Sequence, residues 1–270
     1  MESADAIISP YSTCCAYLVS LFGADKLGAA SGFFWRHDQD IYLISNWHVF
    51  SGRSPRTGQP IDSKNGVVPN MLMVKCIPKS NLNKEVILKL PLEEDGNPNW
   101  VQHRTYGQKV DLAALNISQF MNRHREIWSS PLPINEIPDA EQMTTDAGSD
   151  VFILGYPLGI TKTGLFPVWK RASIATEFDL SVDCLPSFLV DTATREGMSG
   201  SPVIIRSFGG YTRKGGSVTV SHEVFSEFIG VYSGRHVGGI DEAQLGIIWK
   251  KVLIPEILND PAPGSFELFS

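Results

Sequence analysis

The apolar residues of this 270-residue chain come in short runs, and Gly, Pro, Asn, Asp or Ser interrupts nearly every one. A run of that length cannot nucleate a free-standing helix, but it can form one strand of a sheet. Residues 16–22, 32–35, 41–46, 71–76 and 85–90 predict a first set of strands, with Asp38-Gln39-Asp40 as a hairpin turn between two of them. Residues 150–154, 169–175, 187–190, 202–205, 217–220 and 228–232 predict a second set. Between the sets, residues 119–141 carry three prolines and no clear periodicity, which reads as a connector. Many short strands in two groups predict an all-β chain of two β-barrels.

The segments between runs are punctuated as loops should be. Residues 51–70 are rich in Gly, Pro and Ser, and Glu94-Asp95-Gly96-Asn97-Pro98 is a second turn cluster. Residues 209–216 read as a surface loop within the second set, and residues 259–270 as a loosely held tail. One helix is expected near the end. Leu245, Ile248, Trp249, Val252 and Leu253 fall on one helical face, Asp241 and Glu242 precede them, Lys250 and Lys251 lie near the end, and Pro255 should end or kink the run. The predicted division is an N-terminal barrel (1–118), a connector (119–141), a C-terminal barrel (142–240) and a helix with tail (241–270).

Composition removes several classes of function. Hydrophobic residues make up 43% and charged residues 19%, an ordinary balance for a chain with a packed core. With 23 basic against 29 acidic residues the net charge is -6, so the bulk surface offers no nucleic-acid footprint. The apolar stretch at 14–22 is too short to span a bilayer and no basic region precedes it, so neither a membrane anchor nor a secretory leader is expected. Cys14, Cys15, Cys76 and Cys184 form no spaced pairs, which points to reduced thiols and a cytoplasmic protein. No metal, cofactor, nucleic-acid or membrane partner is expected.

Three segments carry chemistry. Gly197-Met198-Ser199-Gly200-Ser201-Pro202 sets a serine between glycines just before the apolar strand Val203-Ile204-Ile205. Glycines allow a sharp turn whose amides converge, so the serine could act as a nucleophile beside an oxyanion-binding site. The run Ile41-Tyr42-Leu43-Ile44-Ser45-Asn46-Trp47-His48-Val49 ends a strand on a histidine before a long loop, where a side chain can face a cleft. In Val110-Asp111-Leu112-Ala113-Ala114-Leu115 one acid opens an apolar run and needs a hydrogen-bonding partner if buried. The order histidine, aspartate, serine excludes an α/β-hydrolase, which runs serine, acid, histidine. His222-Glu223 begins like a zinc-peptidase helix, but Ser226 stands where its second histidine should be. There is no P-loop and no dinucleotide fingerprint.

Taken together, these segments resemble trypsin-like (chymotrypsin-fold) serine peptidases, particularly their disulfide-free bacterial members. The likeness lies in Ser31-Gly32-Phe33-Phe34, Asn46-Trp47-His48-Val49, Asp111-Leu112-Ala113, Gly155-Tyr156-Pro157, the motif at 197–202 and Ile229-Gly230-Val231-Tyr232-Ser233-Gly234. It covers roughly residues 14–253. The resemblance implies two six-stranded antiparallel barrels with a C-terminal helix and an active cleft between the barrels. It implies Ser199 as nucleophile, His48 as general base and acid, Asp111 as the group orienting the histidine, and the amides of Gly197 and Ser199 as the oxyanion hole.

Two departures from the secreted enzymes matter. Met198 stands where those enzymes place an aspartate that captures a newly cut N-terminus, so activation by such cleavage is not expected. The resemblance places Ala193 at the base of the specificity pocket and Thr194, Tyr232, Ser233, Gly234 and Arg235 around it. With no acid at that base, a preference for Lys or Arg before the scissile bond is unsupported. Small or apolar residues are expected there, with Arg195 and Arg235 leaving an acidic preference as the alternative. The expected partner is a protein or peptide substrate. The alternatives to a constitutive endopeptidase are a gated or binding module switched on by a regulatory protein, and an esterase using the same serine.

Overall fold

The computed structural model describes residues 7–78, 84–123, 132–140, 143–161, 165–193, 195–235 and 244–265. After a helical turn, α1 (Pro10–Thr13), come β1 (Cys15–Phe22), β2 (Asp25–His37), β3 (Asp40–Ser45), the one-turn helix α2 (Trp47–Ser51), β4 (Met71–Cys76) and β5 (Val86–Pro91). The hairpin β6 (Glu93–Glu94) and β7 (Asn97–Pro98) leads to β8 (Trp100–His103), β9 (Ala113–Asn116) and α3 (Ser118–Arg123). The second unit contains β10 (Asp150–Gly155), β11 (Val168–Ile174), β12 (Ser187–Asp191), β13 (Pro202–Thr212), β14 (Val218–Arg235) and β15 (Leu245–Lys250). The helix α4 (Leu253–Asn259) and β16 (Pro261–Pro263) complete the order.

The second unit is a closed six-stranded barrel in the order β10-β11-β12-β15-β14-β13. The first is an antiparallel sheet in the order β16-β8-β9-β3-β2-β1-β4-β5, eight strands rather than six. The added edge is β16, where the end of the chain returns to pair with β8. A Pro-Ala-Pro segment suits only an edge, since proline cannot donate to a further neighbour. Strand patterning explains the sheet. In β4, Leu72, Val74 and Cys76 point inward and alternate with half-exposed residues, and in β5, Val86, Leu88 and Leu90 do the same. The β2–β3 turn falls at Asp38, whose φ of 51° is one that aspartate tolerates better than most residues.

Each unit has its own core. Leu18, Phe34, Leu43, Trp47, Phe50 and Trp100 fill the first, with the rings of Phe50 and Trp100 stacked 5.9 Å apart. Val151, Ile153, Phe188, Val203 and Ile248 fill the barrel. A third cluster joins them across the seam, where Phe33 of β2 meets Phe228 of β14 at 5.3 Å and Tyr17 of β1 meets Tyr156 at 5.4 Å. An apolar seam of this kind holds two units as one body.

The structure corrects the expected C-terminal helix. Leu245–Lys250 is strand β15, bonded to β12 on one side and β14 on the other. The helical spacing of Leu245, Ile248 and Trp249 is a coincidence that tertiary pairing overrides, because closing the barrel gives these residues two neighbouring ladders. The helix starts only at Leu253, and Pro255 lies in its first turn, where a missing N–H costs nothing. Residues 241–270, expected as an appendix, therefore supply one strand to each unit. The loop at 209–216 is also shorter than expected. β13 runs through Gly209 and Gly210 to Thr212, and the strands expected at 217–220 and 228–232 merge into one long strand, β14, from Val218.

The four cysteines are free, and Cys14, Cys15 and Cys76 are buried. Burial raises the Cys15 thiol well above its ordinary range and pushes Cys76 up to about 12, so both are inert as nucleophiles. Among the described residues no helix is long and apolar enough to cross a membrane.

Candidate active site

β3 delivers its last residue, Ser45, to the seam, and the chain then turns through α2, placing His48 at the rim. Gly52 closes that turn in the left-handed region, against Pro69, where a Cβ would lie 2.1 Å from the proline ring. Asp111 lies just before β9 and is 3% exposed. A buried carboxylate is costly unless donors surround it. Here Oδ1 accepts the His48 amide at 2.9 Å, and Oδ2 accepts both His48 Nδ1 at 2.6 Å and the Ser233 hydroxyl at 2.5 Å. Asn46 also donates to the Asp111 carbonyl at 2.8 Å. An ionised carboxylate only accepts, so the proton of a neutral His48 belongs on Nδ1 and the lone pair on Nε2.

Ser199 sits in the turn between β12 and β13, flanked by Gly197 (φ 92°) and Gly200 (φ 82°). Side chains would not fit at either glycine. A Cβ at 197 would lie 2.2 Å from the Tyr156 carbonyl oxygen, and one at 200 would lie 2.2 Å from the Ser31 carbonyl oxygen. The first sheet grips this turn directly. The Ser31 amide donates to the Ser199 carbonyl at 2.8 Å, and the Ser31 hydroxyl donates to the Gly197 carbonyl at 2.7 Å while accepting from the Tyr156 amide at 3.1 Å. Ser45 donates to the Ser31 carbonyl at 2.8 Å. From the barrel side, the Gly200 amide bonds the Tyr232 carbonyl at 2.8 Å.

The peptide joining Glu196 to Gly197 is oriented by a separate contact. The Leu158 amide donates to the Glu196 carbonyl at 2.7 Å. In a trans peptide the N–H points opposite to the C=O, so the Gly197 amide faces away from Leu158. Among the described residues neither it nor the Ser199 amide donates a hydrogen bond. Both residues line a cleft of about 270 Å³ together with His48, Val49, Gly28, Ala30 and Glu196. The segment at 51–70 borders the same cleft through Ile61, Asp62, Val67 and Pro69. Ser199 Oγ makes no hydrogen bond to His48 in this resting arrangement, a contact that often tightens only when substrate binds.

The structure thus brings His48, Asp111, Gly197 and Ser199 to one seam, and it places some of the residues expected around the specificity pocket as follows. Tyr232 is 2% exposed and turns into the barrel core, its ring against Gly246. Ser233 spends its hydroxyl on Asp111. Ala193 is exposed, Gly234 contributes backbone alone, and none of these four lines the cleft of Ser199. Thr194 and the side chain of Arg235 lie outside the described residues. Sequence reasoning missed the roles of Ser31, Ser45 and Leu158. Ser31 stood within the quoted Ser-Gly-Phe-Phe stretch, and a serine in the middle of a buried strand was the available signal. Among the described residues no cluster of His, Cys, Asp and Glu could hold a metal ion.

The chain belongs to the trypsin-like peptidase domain family, whose model matches residues 30–208. Among solved structures it is similar to the serine endoprotease from Yersinia pestis, at 14% identity and a TM-score of 0.51 over 94% of this chain and 67% of that one. It is also similar to an inactive serine-to-alanine form of Rv3671c from M. tuberculosis H37Rv, at 17% identity, a TM-score of 0.48 and coverage of 92% and 86%. The HtrA-type protease AlgW, solved with a tripeptide, gives 13%, 0.48, and coverage of 92% and 60%. No curated protein sequence matches the chain.

Proposed function

We propose that the chain is a serine endopeptidase that cleaves protein or peptide substrates through an acyl-enzyme. The observation that carries this reading is the Asp111 carboxylate holding His48 Nδ1 at 2.6 Å in a cleft shared with Ser199 and two unengaged amides. Serine is a weak nucleophile until a base takes its proton, and Nε2 of His48 is the available base. As Ser199 Oγ attacks the carbonyl carbon, His48 becomes an imidazolium that Asp111 stabilises, and the new oxyanion is received by the Gly197 and Ser199 amides. His48 then protonates the leaving amine. Water repeats the sequence on the acyl-enzyme and regenerates the serine.

Two further features support a site that needs no activating cleavage or partner. Met198 is wholly buried in the barrel core, where it forms no ion pair and needs none. The Glu196–Gly197 peptide is already held by Leu158, so the loop needs no remodelling to present its amide. Four free cysteines favour a reducing, intracellular setting.

The test is labelling with a fluorophosphonate probe, comparing the wild type with Ser199→Ala and His48→Ala. Wild type alone should label, and each variant should lose about 10⁶-fold in peptide hydrolysis. A folded wild type that does not label would overturn the constitutive reading in favour of a gated module. Hydrolysis of activated esters without amides would make the chain an esterase.

A further inference from the structure

A second concavity, of about 700 Å³, opens where the N-terminal segment and the connector meet the base of the β13–β14 hairpin. It shares no lining residue with the cleft of Ser199. Its wall is mainly apolar, formed by Ile8, Pro10, Ile137, Phe166, Trp169 and Val224, and it contains no carboxylate. The volume lies within the range of ligand sites. One cation is set into this wall. The guanidinium of Arg206 lies 5.3 Å from the Trp169 ring and 5.2 Å from the Phe208 ring, held between two aromatic faces. Its Nε is buried without an acceptor, and among the described residues Arg206 forms no ion pair. Trp169 is itself fixed by a bond from Nε1 to the Ser12 hydroxyl at 2.9 Å.

The groove continues onto an exposed apolar face. In the β13–β14 ladder Phe208 stands opposite Val224, two places from the Arg206–Ser226 pair and so on the face of Arg206; beyond a register shift, Gly210 stands opposite Val220 and Thr212 opposite Val218. The other face carries Tyr211 and Phe225, whose rings lie 4.8 Å apart and pack against the barrel core. Phe208 is 69% exposed, Val220 79%, Val218 66% and Val224 43%. Four exposed apolar side chains gathered on one hairpin mark an interaction surface.

We propose that the groove and the outer face of the hairpin dock an extended segment of a partner protein in which one acidic side chain lies between apolar residues. The carboxylate would take the terminal amino groups of Arg206, which among the described residues form no ion pair, in charge-assisted hydrogen bonds, and the flanking side chains would cover the exposed valines and Phe208. Charge selects this occupant over a second copy of the chain. A two-fold contact through this face would bring two unpaired guanidiniums into one interface.

The probe is a library of acetylated and amidated heptapeptides with Glu, Gln or Lys at the centre and varied Leu, Val and Phe flanks. Binding to the full chain carrying Ser199→Ala is read by fluorescence anisotropy. Glu-centred peptides should bind at least about tenfold more tightly than their Gln counterparts, the loss expected on removing a charge-assisted hydrogen bond. Arg206→Gln should abolish that difference, and Phe208→Ser should weaken every Glu-centred binder. Arg206→Lys keeps the charge and should preserve the Glu preference at lower affinity, which separates loss of recognition from loss of fold. In the background with Ser199 intact, Arg206→Gln should leave hydrolysis of a small activated ester unchanged. Absence of a Glu preference, or a Glu preference that survives Arg206→Gln, would overturn the proposal. So would self-association of the wild type, in sedimentation, that Arg206→Gln or Phe208→Ser abolishes.

Discussion

At the Asp111 end of the candidate site one side-chain carboxylate gathers the geometry, receiving the amide and ring of His48 from its own unit and the Ser233 hydroxyl from β14 of the barrel. At the Ser199 turn the backbone does that work. Ser199 has left-handed glycines on both sides, its carbonyl is tied to Ser31, and the amide of Gly197 is aimed by the bond from Leu158 to Glu196. Polar side-chain networks orient a proton and a lone pair, so they fail by losing chemistry. Backbone turns orient amides, so they fail by losing shape. The two halves should therefore answer substitution differently.

The largest expected effect after removal of the nucleophile or base is at Asp111. Asp111→Asn keeps the volume but places an amide where only an acceptor serves, which favours the wrong histidine tautomer. Its kcat should fall by about 10⁴-fold with little change in KM. A loss below tenfold would show that Ser233 and the backbone orient His48 unaided. Next comes Gly197→Ala, whose Cβ cannot coexist with the Tyr156 carbonyl 2.2 Å away. Displacing that peptide should cost about 10²–10³-fold in kcat through the oxyanion site, while slow phosphonate labelling persists. Full activity in this variant would remove Gly197 from the hole.

Ser31→Ala tests the link between the halves. It strips the Tyr156 amide and the Gly197 carbonyl of a buried partner, so it should cost about 1–3 kcal/mol of stability by urea unfolding, with a smaller loss of rate. A variant as stable as wild type would mean that the turn holds its own shape.

The smallest effect lies away from the site. Burial pushes the Asp139 carboxyl up to about 6, with Glu227 adding to the shift and Lys251 opposing it. Between pH 4 and 6 the unfolded chain has released this proton while the folded chain retains it. Stability contributed here is thus present at low pH and falls as pH rises through 6. Asp139→Asn should flatten that part of the melting-temperature profile, and an unchanged slope would move its origin to another group.

The same contrast explains what the sequence could disclose. His48, Asp111 and Ser199 were legible because each sits in a short motif of unusual residue types. The strands with alternating burial were legible for a related reason, since period two is written locally. Strand β15 was not, because Leu245 and Ile248 take their conformation from two distant partner strands and carry a misleading helical spacing. The placement of Tyr232 was hidden similarly: whether it faces solvent or core depends on Gly246 across the ladder, which no local pattern records. Ser31 reaches Gly197 across 166 positions of sequence, and only the seam makes it a neighbour.

One connection ties the last strand of the fold to the first half of the site. The Pro263 carbonyl in β16 accepts from Gln102 Nε2 at 3.1 Å, and Gln102 Oε1 accepts from Trp47, the residue before His48, at 2.8 Å. The sheet that carries His48 is thus finished by residues made after the whole barrel that carries Ser199. During synthesis the N-terminal half emerges first but lacks its outer strand and the brace beneath α2 until residue 263 is free to dock. The brace beneath α2 is thus completed only after the residues of both units have been made.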